Sequence, residues 1–183
     1  MKENKKIEDK IDWIKKNKNI IEWIKSLALA GIITAIILNF IVFFAYVPTG
    51  SMIPTINEGD RIIVWKFLRY FDWEHRGLTY GDVVVFKHQD TPFEEEKLLV
   101  KRVIGFGGDT IKIENGLVYR NNEPLDEPYV KNNDSFFMNE IKIPENEIFV
   151  LGDNRIGSYD SRYWEYQTVP IANVVGEVKF LNK

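Results

Sequence analysis

Cysteine is absent from the 183-residue sequence, and histidine occurs only as His75 and His88. Without cysteine the chain has no disulfide framework, no catalytic thiol and no zinc site with cysteine ligands. The two histidines have no carboxylate at the spacing of a zinc ligand, so we expect neither a metal nor another cofactor. The net charge of −3 gives no electrostatic reason to expect a nucleic acid as partner.

Serine is also scarce, and one of its five occurrences, Ser51, stands between Gly50 and Met52 soon after a long apolar run. A Gly-Ser pair beside prolines usually forms no more than a turn. A serine becomes a nucleophile only where a base lies nearby. The function of Ser51 therefore depends on whether the rest of the chain supplies that base.

Charged residues are missing between Lys25 and Glu58. As a helix, the apolar run from Ser26 to Val47 would rise about 33 Å, which is enough to cross a hydrocarbon core of roughly 30 Å. A cleavable export signal would have a shorter apolar region and small residues at its end, whereas this run ends in bulky side chains. We therefore expect a permanent transmembrane helix over residues 26–47, ended by Pro48.

The first 25 residues contain eight lysines. Basic residues that flank a membrane span are retained on the cytoplasmic side. The isoleucines of this segment, with Trp13 and Trp23, indicate an amphipathic helix on the inner membrane surface. The sequence thus predicts a single-pass protein of the cell membrane. Residues 1–25 would be cytoplasmic and residues 48–183 would form an extracytoplasmic domain, with Ser51 close to the membrane plane.

Short β-rich runs separated by turn signals follow Pro48, so we predict a mainly β domain. The predicted strands are Arg61–Lys66, Asp82–Lys87, Leu98–Ile104, Thr110–Glu114, Leu117–Arg120, Glu147–Leu151 and Val174–Phe180. The more polar stretch over residues 115–144 is predicted to be a hairpin and loop excursion from this core. The aromatic residues from Trp65 to Trp73 fit a second contact with the bilayer and core packing equally well.

Two side chains are candidates for the base. Because side chains alternate along a strand, Lys101 shares a face with the apolar Leu99 and Val103. Lysines on strands usually reach solvent, but burial would lower the pKa of the Lys101 amine from about 10.4 toward neutral pH. The other candidate is His88, which lies at the polar end of a strand and would serve in a serine–histidine–aspartate arrangement.

A third candidate segment is GDNRIGSYDSRYW, from Gly152 to Trp164, which follows the apolar run IFVL. Its charges alternate in sign and its small residues suit a tight loop. Taken alone, this pattern is typical of an ordinary turn with salt bridges. Its meaning changes when it is read with the serine and lysine segments.

Four segments, in this order, resemble the motifs of the bacterial type I signal peptidases. These are membrane-anchored Ser/Lys endopeptidases that remove signal peptides from exported proteins. The matching segments are Ser51–Thr55, Gly81–Phe86, Lys101–Gly105 and Gly152–Arg162. The resemblance runs from the anchor to the last strand and implies the signal-peptidase β-fold, in the compact Gram-positive form, with no metal. One departure is Gly107, which precedes Gly108-Asp109 where the family commonly has proline and could loosen this loop.

The resemblance also implies roles for individual residues. Ser51 would be the nucleophile and Lys101 the general base, with Ser158 hydrogen-bonded to the lysine amine and orienting it. Asp160 and Arg162 would form a supporting ion pair.

The oxyanion hole would consist of the backbone N–H of Ser51 and the hydroxyl of Thr49. Met52 would line a shallow substrate pocket, and the substrate would carry small residues at the first and third positions before the cut. The implied partners are secretory preproteins, the lipid bilayer and the secretion translocon.

Two alternatives remain at this stage. Self-cleaving repressors share a related Ser/Lys β-fold, but they are soluble and bind DNA, whereas this chain has a spanning run and no basic reading helix. A catalytically silent, membrane-anchored binding module of the same fold is the second alternative. The presence of both Ser51 and Lys101 favours an enzyme.

Overall fold

The computed structural model describes Trp13 and residues 16–66, 77–89 and 95–182, with side chains described as far as residue 179. The chain divides into two units, one ending at Ile41 and one beginning at Val42. Most of the predicted cytoplasmic segment lies outside the described residues. So does most of the aromatic segment, of which Trp65 is described and is 38% exposed.

The first unit contains helix α1, Lys18–Ile36, which continues as a π-helix over Ile37–Ile41. Its side chains are apolar from Leu27 onward apart from Thr34 and Asn39, and it buries no residue within the protein. The Asn39 amide donates a hydrogen bond to the Ala35 carbonyl of the same helix. Among the described residues, Lys18–Ile41 is the one helix whose length and composition are sufficient to cross a membrane.

The helix ends at Ile41, so the prediction that it continues to Val47 is wrong. Residues Val42–Tyr46 form strand β1, which pairs antiparallel with β2, Arg61–Trp65. Valine and aromatic side chains favour strands, and an unbroken apolar run does not by itself distinguish the end of a helix from a strand. The alternation is visible in β1, because Phe43 and Ala45 pack against the core while Phe44 is exposed.

The second unit is mainly β, as predicted. Seven strands form the larger sheet in the order β1-β2-β11-β3-β4-β9-β10, with every described pair antiparallel. Besides β1 and β2 it contains β3 Val83–His88, β4 Lys97–Phe106, β9 Glu147–Leu151, β10 Val169–Pro170 and β11 Val174–Asn182. A short 3₁₀-helix, Ile171–Asn173, joins β10 to β11.

The smaller sheet has four strands in the order β7-β6-β5-β8. They are β5 Thr110–Glu114, β6 Leu117–Arg120, β7 Glu123–Pro124 and β8 Met138–Lys142. The excursion predicted over residues 115–144 therefore contributes three strands of a sheet and one long loop. The seven predicted strands are all present, with ends that differ by two residues at most, while β1, β7, β8 and β10 were not predicted.

Strand β4 contributes to all three apolar clusters of the core. Val100 packs against the cluster around Met52, Val103 against the cluster around Trp164, and Ile104 against the cluster beneath the smaller sheet. The backbone on both sides of Lys101 is therefore held by close packing.

The turn after β4 contains Gly107, where the resemblance raised the possibility of a looser loop. In the structure two hydrogen bonds between Phe106 and Asp109 close this turn. Asp109 donates its N–H to the Phe106 carbonyl at 3.0 Å, and the Asp109 carboxylate accepts the Phe106 N–H at 2.9 Å.

Candidate active site

Ser51 lies in a loop between β1 and β2 whose two ends are hydrogen-bonded to each other. The Val47 N–H donates to the Asp60 carbonyl at 3.0 Å, and the Gly59 N–H donates to the Val47 carbonyl at 2.9 Å. Within the loop, Met52 and Ile56 are buried in the core. Ser51 is half-buried, so it is held in place but remains accessible from one side.

The Lys101 amine donates a hydrogen bond of 2.8 Å to the Ser51 hydroxyl oxygen. The Lys101 side chain comes from the middle of β4 and is buried, so it does not reach solvent as lysines on strands usually do. Burial lowers the pKa of the Lys101 amine to about 8, against the opposing effect of the Asp160 carboxylate. A lysine in this state can be neutral near physiological pH and can then accept a proton.

The buried ion pair predicted between Asp160 and Arg162 is present, with the Arg162 Nε atom 2.8 Å from the Asp160 carboxylate. The same carboxylate accepts the N–H of Gly152 at 3.0 Å, and Arg162 also donates to Asp134 at 2.5 Å. These bonds fix the loop from Gly152 to Arg162 beside Ser51.

Ser158 does not make the hydrogen bond to Lys101 that the resemblance implied. Its hydroxyl oxygen is buried and has no hydrogen-bond partner in the described part of the chain. The Ser158 side chain packs directly against Gly152, where a Cβ atom would lie 2.2 Å from its oxygen. In this structure the Lys101 amine is instead bound to Ser51.

Met52 and Thr49 lie in opposite environments. Met52 is 1% exposed and belongs to the core cluster under the loop, and its lining of a shallow substrate pocket stays a prediction. An apolar residue beside a nucleophile can line a substrate pocket or pack into the core. Here Met52 packs into the core and anchors the loop. Thr49 is exposed, two positions before the nucleophile.

His88 is not part of this arrangement. It is paired with Lys97 at the far end of β4, four residues from Lys101, which corresponds to roughly 13 Å along the strand. Its ring is half-buried and stacks on Trp164 with a centroid distance of 3.9 Å. His75 lies outside the described residues.

Arg102 and Asp153 form a second ion pair beside the serine loop, and neither residue had a role in the prediction from the sequence. The Arg102 Nε atom donates to Asp153 at 2.8 Å, and the Thr55 hydroxyl donates to the same carboxylate at 2.5 Å. The pair joins the serine, lysine and Gly152 segments, because Thr55 follows Ser51 and Arg102 follows Lys101 in sequence. The positive charge of Arg102 in the lysine motif and the negative charge of Asp153 in the Gly152 motif were the sequence signal for this ion pair.

The long loop of the smaller sheet also reaches this region. Its Glu127 carboxylate binds Arg155 through two bonds of 2.9 and 2.7 Å, and both side chains are nearly buried. Tyr129 donates to Glu127 at 2.8 Å, while the Arg102 guanidinium lies 3.9 Å from the Tyr129 ring centroid. Burial and the neighbouring Glu127 raise the pKa of the Tyr129 hydroxyl.

This arrangement is suited to nucleophilic catalysis on a carbonyl group. It combines a half-buried serine, a buried amine with a lowered pKa and an exposed threonine hydroxyl two residues away. Among residues 16–66, 77–89 and 95–182, no group of three histidine, aspartate or glutamate side chains is placed to hold a metal ion.

Comparisons with known proteins agree with this chemistry. Residues 20–182 match the family described as signal peptidase, peptidase S26. The chain is 35% identical over 168 residues to a signal peptidase I of Leptolyngbya laminosa, covering 88% of this chain and 79% of that protein. It is 37% identical over 161 residues to signal peptidase I S of Bacillus subtilis, covering 81% and 82%.

A crystal structure of a signal peptidase I from Enterococcus faecalis aligns with a TM-score of 0.44 at 28% identity, covering 56% of this chain and 97% of that one. The family assignment rests on the sequence matches, which extend over most of the chain. The chain belongs to the signal peptidase family, peptidase S26.

Proposed function

We propose that this protein is a membrane-bound serine endopeptidase that cleaves N-terminal signal peptides from exported preproteins with Ser51 as nucleophile and Lys101 as general base. Membership of the signal peptidase family supports the reaction class. The hydrogen bond of 2.8 Å between the buried Lys101 amine and the Ser51 hydroxyl carries the assignment of the two residues. A catalytically silent binding module would not require a buried lysine amine, whose burial costs free energy of folding.

The proposed reaction begins with Lys101 in its neutral form. The amine accepts the hydroxyl proton of Ser51 as the serine oxygen attacks the carbonyl carbon of the scissile bond. The resulting oxyanion is held by the N–H of Ser51 and the hydroxyl of Thr49. The protonated Lys101 then gives its proton to the leaving amine, and the signal peptide remains esterified to Ser51.

Hydrolysis of this ester repeats the same steps with water. Lys101, neutral again, accepts a proton from the attacking water molecule, and the collapse of the second tetrahedral intermediate returns the proton to Ser51. The Asp160–Arg162 pair supports both stages by fixing the loop and by balancing charge near the amine. The Asp160 carboxylate raises the pKa of Lys101 and the Arg162 guanidinium lowers it, while burial remains the larger effect.

In the proposed topology the helix Lys18–Ile41 is the single membrane anchor. The lysines that precede it place the amino terminus in the cytoplasm, and the mainly β unit is extracytoplasmic. The partners of the protein are then the lipid bilayer and secretory preproteins, which the secretion translocon delivers as substrates. This topology fits a nucleophile that follows the anchor closely in sequence.

The activity should rise with pH around the lowered pKa of Lys101. Only the neutral amine is active, and with a pKa of about 8 the neutral fraction increases roughly tenfold between pH 7 and pH 9. We expect kcat/KM for a substrate without groups that titrate in this range to increase by about that factor. A limb centred near pH 6.5, the ordinary pKa of histidine, would instead indicate a histidine base.

Cleavage of a preprotein tests the function directly. The full-length protein in detergent is incubated with a preprotein that has alanine at the first and third positions before the expected cut, and the products are mapped by mass spectrometry. We expect one cut directly after the last alanine. A matched preprotein with phenylalanine at that position should resist. Equal cleavage of both, or a cut elsewhere, would contradict the proposed substrate class.

A further inference from the structure

We infer that Asn154 is a positioning residue for the oxyanion hole, because it holds both peptide groups that flank Ser51 and thereby directs the Ser51 N–H. The inference rests on the proposed role of Ser51 as nucleophile. None of the roles implied by the family resemblance includes Asn154.

Two hydrogen bonds connect Asn154 to the nucleophile loop. The Asn154 side-chain amide donates to the Gly50 carbonyl at 3.1 Å, and its backbone N–H donates to the Ser51 carbonyl at 3.0 Å. The first carbonyl belongs to the peptide group before Ser51 and the second to the peptide group after it. Rotation of either peptide plane would break one of these bonds.

The bond to Gly50 determines where the Ser51 N–H points. The peptide bond between Gly50 and Ser51 is trans, so its carbonyl and N–H lie in one plane and point in opposite directions. Holding the Gly50 oxygen on the Asn154 side therefore aims the Ser51 N–H to the other side. Within the described residues this N–H donates to no acceptor, as a donor kept for an oxyanion requires.

The Asn154 side chain is itself fixed. Its Oδ1 atom accepts the Gly157 N–H at 3.3 Å, which leaves the amide nitrogen facing Gly50. A Cβ atom on residue 157 would lie 2.6 Å from that nitrogen, so only glycine leaves room for it. On either side of Asn154, Asp153 is paired with Arg102, and Arg155 is bound by Glu127 and donates to the Gly152 carbonyl.

The test uses two variants and one matched control. Asn154→Ala removes the donor to Gly50. Asn154→Asp keeps the shape and the acceptor for Gly157, but places an oxygen against the Gly50 carbonyl. Asn133→Ala removes a bond of the same kind, 2.9 Å from the Asn133 amide to the Gly116 carbonyl, which joins the loop before β8 to the turn between β5 and β6.

Each protein is assayed at full length for kcat, KM and melting temperature, and for inhibition by a peptide aldehyde and the corresponding peptide alcohol. Ser51 adds to the aldehyde carbon, its proton passes to Lys101, and the former carbonyl oxygen occupies the oxyanion hole. The alcohol binds the same cleft without forming this bond. The ratio of the two inhibition constants therefore reports on the hole and is measured on folded molecules only.

We expect Asn154→Ala to lower kcat by about 10- to 100-fold with little change in KM. Its affinity for the aldehyde should fall by a similar factor while its affinity for the alcohol is retained. The pH dependence should stay centred near 8, because no charge is altered. Asn154→Asp should lose at least as much activity and shift its pH dependence upward, since a new carboxylate near Lys101 favours the protonated amine. Asn133→Ala should lower the melting temperature at most.

An Asn154→Ala protein with unchanged kcat, or with equal loss of aldehyde and alcohol binding, would overturn the inference. Failure of the proposed function would look different, because a Ser51→Ala protein would then still cleave the preprotein. If the Ser51→Ala protein is inactive, the ratio of the aldehyde and alcohol inhibition constants of the Asn154 variants tests the role of Asn154 separately from that of Ser51.

Discussion

Lys101→Met should lower kcat/KM by at least about 10³-fold and, at pH 7, make the protein more stable. The loss of activity follows from removing the proposed base, whose amine is the one side-chain group hydrogen-bonded to the Ser51 hydroxyl among the described residues. The gain in stability follows from the cost of burying the amine. Methionine has a similar length and shape, so it fills the same space without a charge.

The sign of the stability effect depends on pH. The pKa of Lys101 is lowered from 10.5 to about 8 on folding, so below pH 8 both the folded and the unfolded chain carry the proton. There the buried charge destabilises the folded state by about 3 kcal/mol, since one pKa unit corresponds to about 1.4 kcal/mol. This cost decreases as the pH rises from 8 to 10.5 and is absent above it.

Urea unfolding of the wild type and Lys101→Met at pH 7 and above pH 10.5 measures this difference. The variant should be more stable at pH 7 by up to about 3 kcal/mol, and the two proteins should converge at the higher pH. Lys101→Arg provides the control, because it retains a permanent charge and should be inactive without being stabilised. His88→Ala should cleave normally. Substantial turnover by Lys101→Met would refute the lysine as base.

The parts of the site that follow from local pattern were predictable. The alternation of side chains along one strand put Lys101 on an apolar face, and in the structure this side chain is buried. Its contact with Ser51 was expected from the family resemblance. The alternating charges of the Gly152–Trp164 segment similarly indicated a turn with salt bridges, while the pairing of Asp160 with Arg162 was expected from the family resemblance. In each case the information lies within a few residues of the chain.

The contacts that depend on distant packing were not predictable. The junction of helix and strand at Val42 depends on pairing with β2, which composition alone does not specify. Met52 is drawn into the core because the loop needs an apolar anchor. Glu127 and Asp134 come from a polar loop that looked peripheral, yet each neutralises a buried arginine more than twenty residues away in sequence.

Gly152→Ala should reduce both activity and stability because residue 152 has no room for a side chain. A Cβ atom there would lie 2.2 Å from the Ser158 hydroxyl oxygen and 2.6 Å from the carbonyl oxygen of Ser51. The Ser158 Cβ atom would also lie 2.5 Å away, so rotating the Ser158 hydroxyl relieves only part of the Ser158 contact, and the contact with Ser51 involves the backbone of the nucleophile itself. We expect kcat/KM to fall by about 100-fold or more, since small displacements of reacting groups are costly. Overpacking should lower the free energy of unfolding by about 1–3 kcal/mol.

The double variant Gly152→Ala/Ser158→Gly separates the Ser158 contacts from the Ser51 contact. Removing the whole Ser158 side chain takes away both its hydroxyl oxygen at 2.2 Å and its Cβ atom at 2.5 Å, so part of the stability should return in thermal melts. The contact with the Ser51 carbonyl remains, so kcat should stay low. Full recovery of activity in the double variant would show that Gly152→Ala lowers activity only through its contact with Ser158. Unchanged activity in Gly152→Ala would show that Ser51 does not need the position it has in this structure. The combination expected here, recovered stability with persistent loss of kcat, would tie the glycine to the placement of the nucleophile.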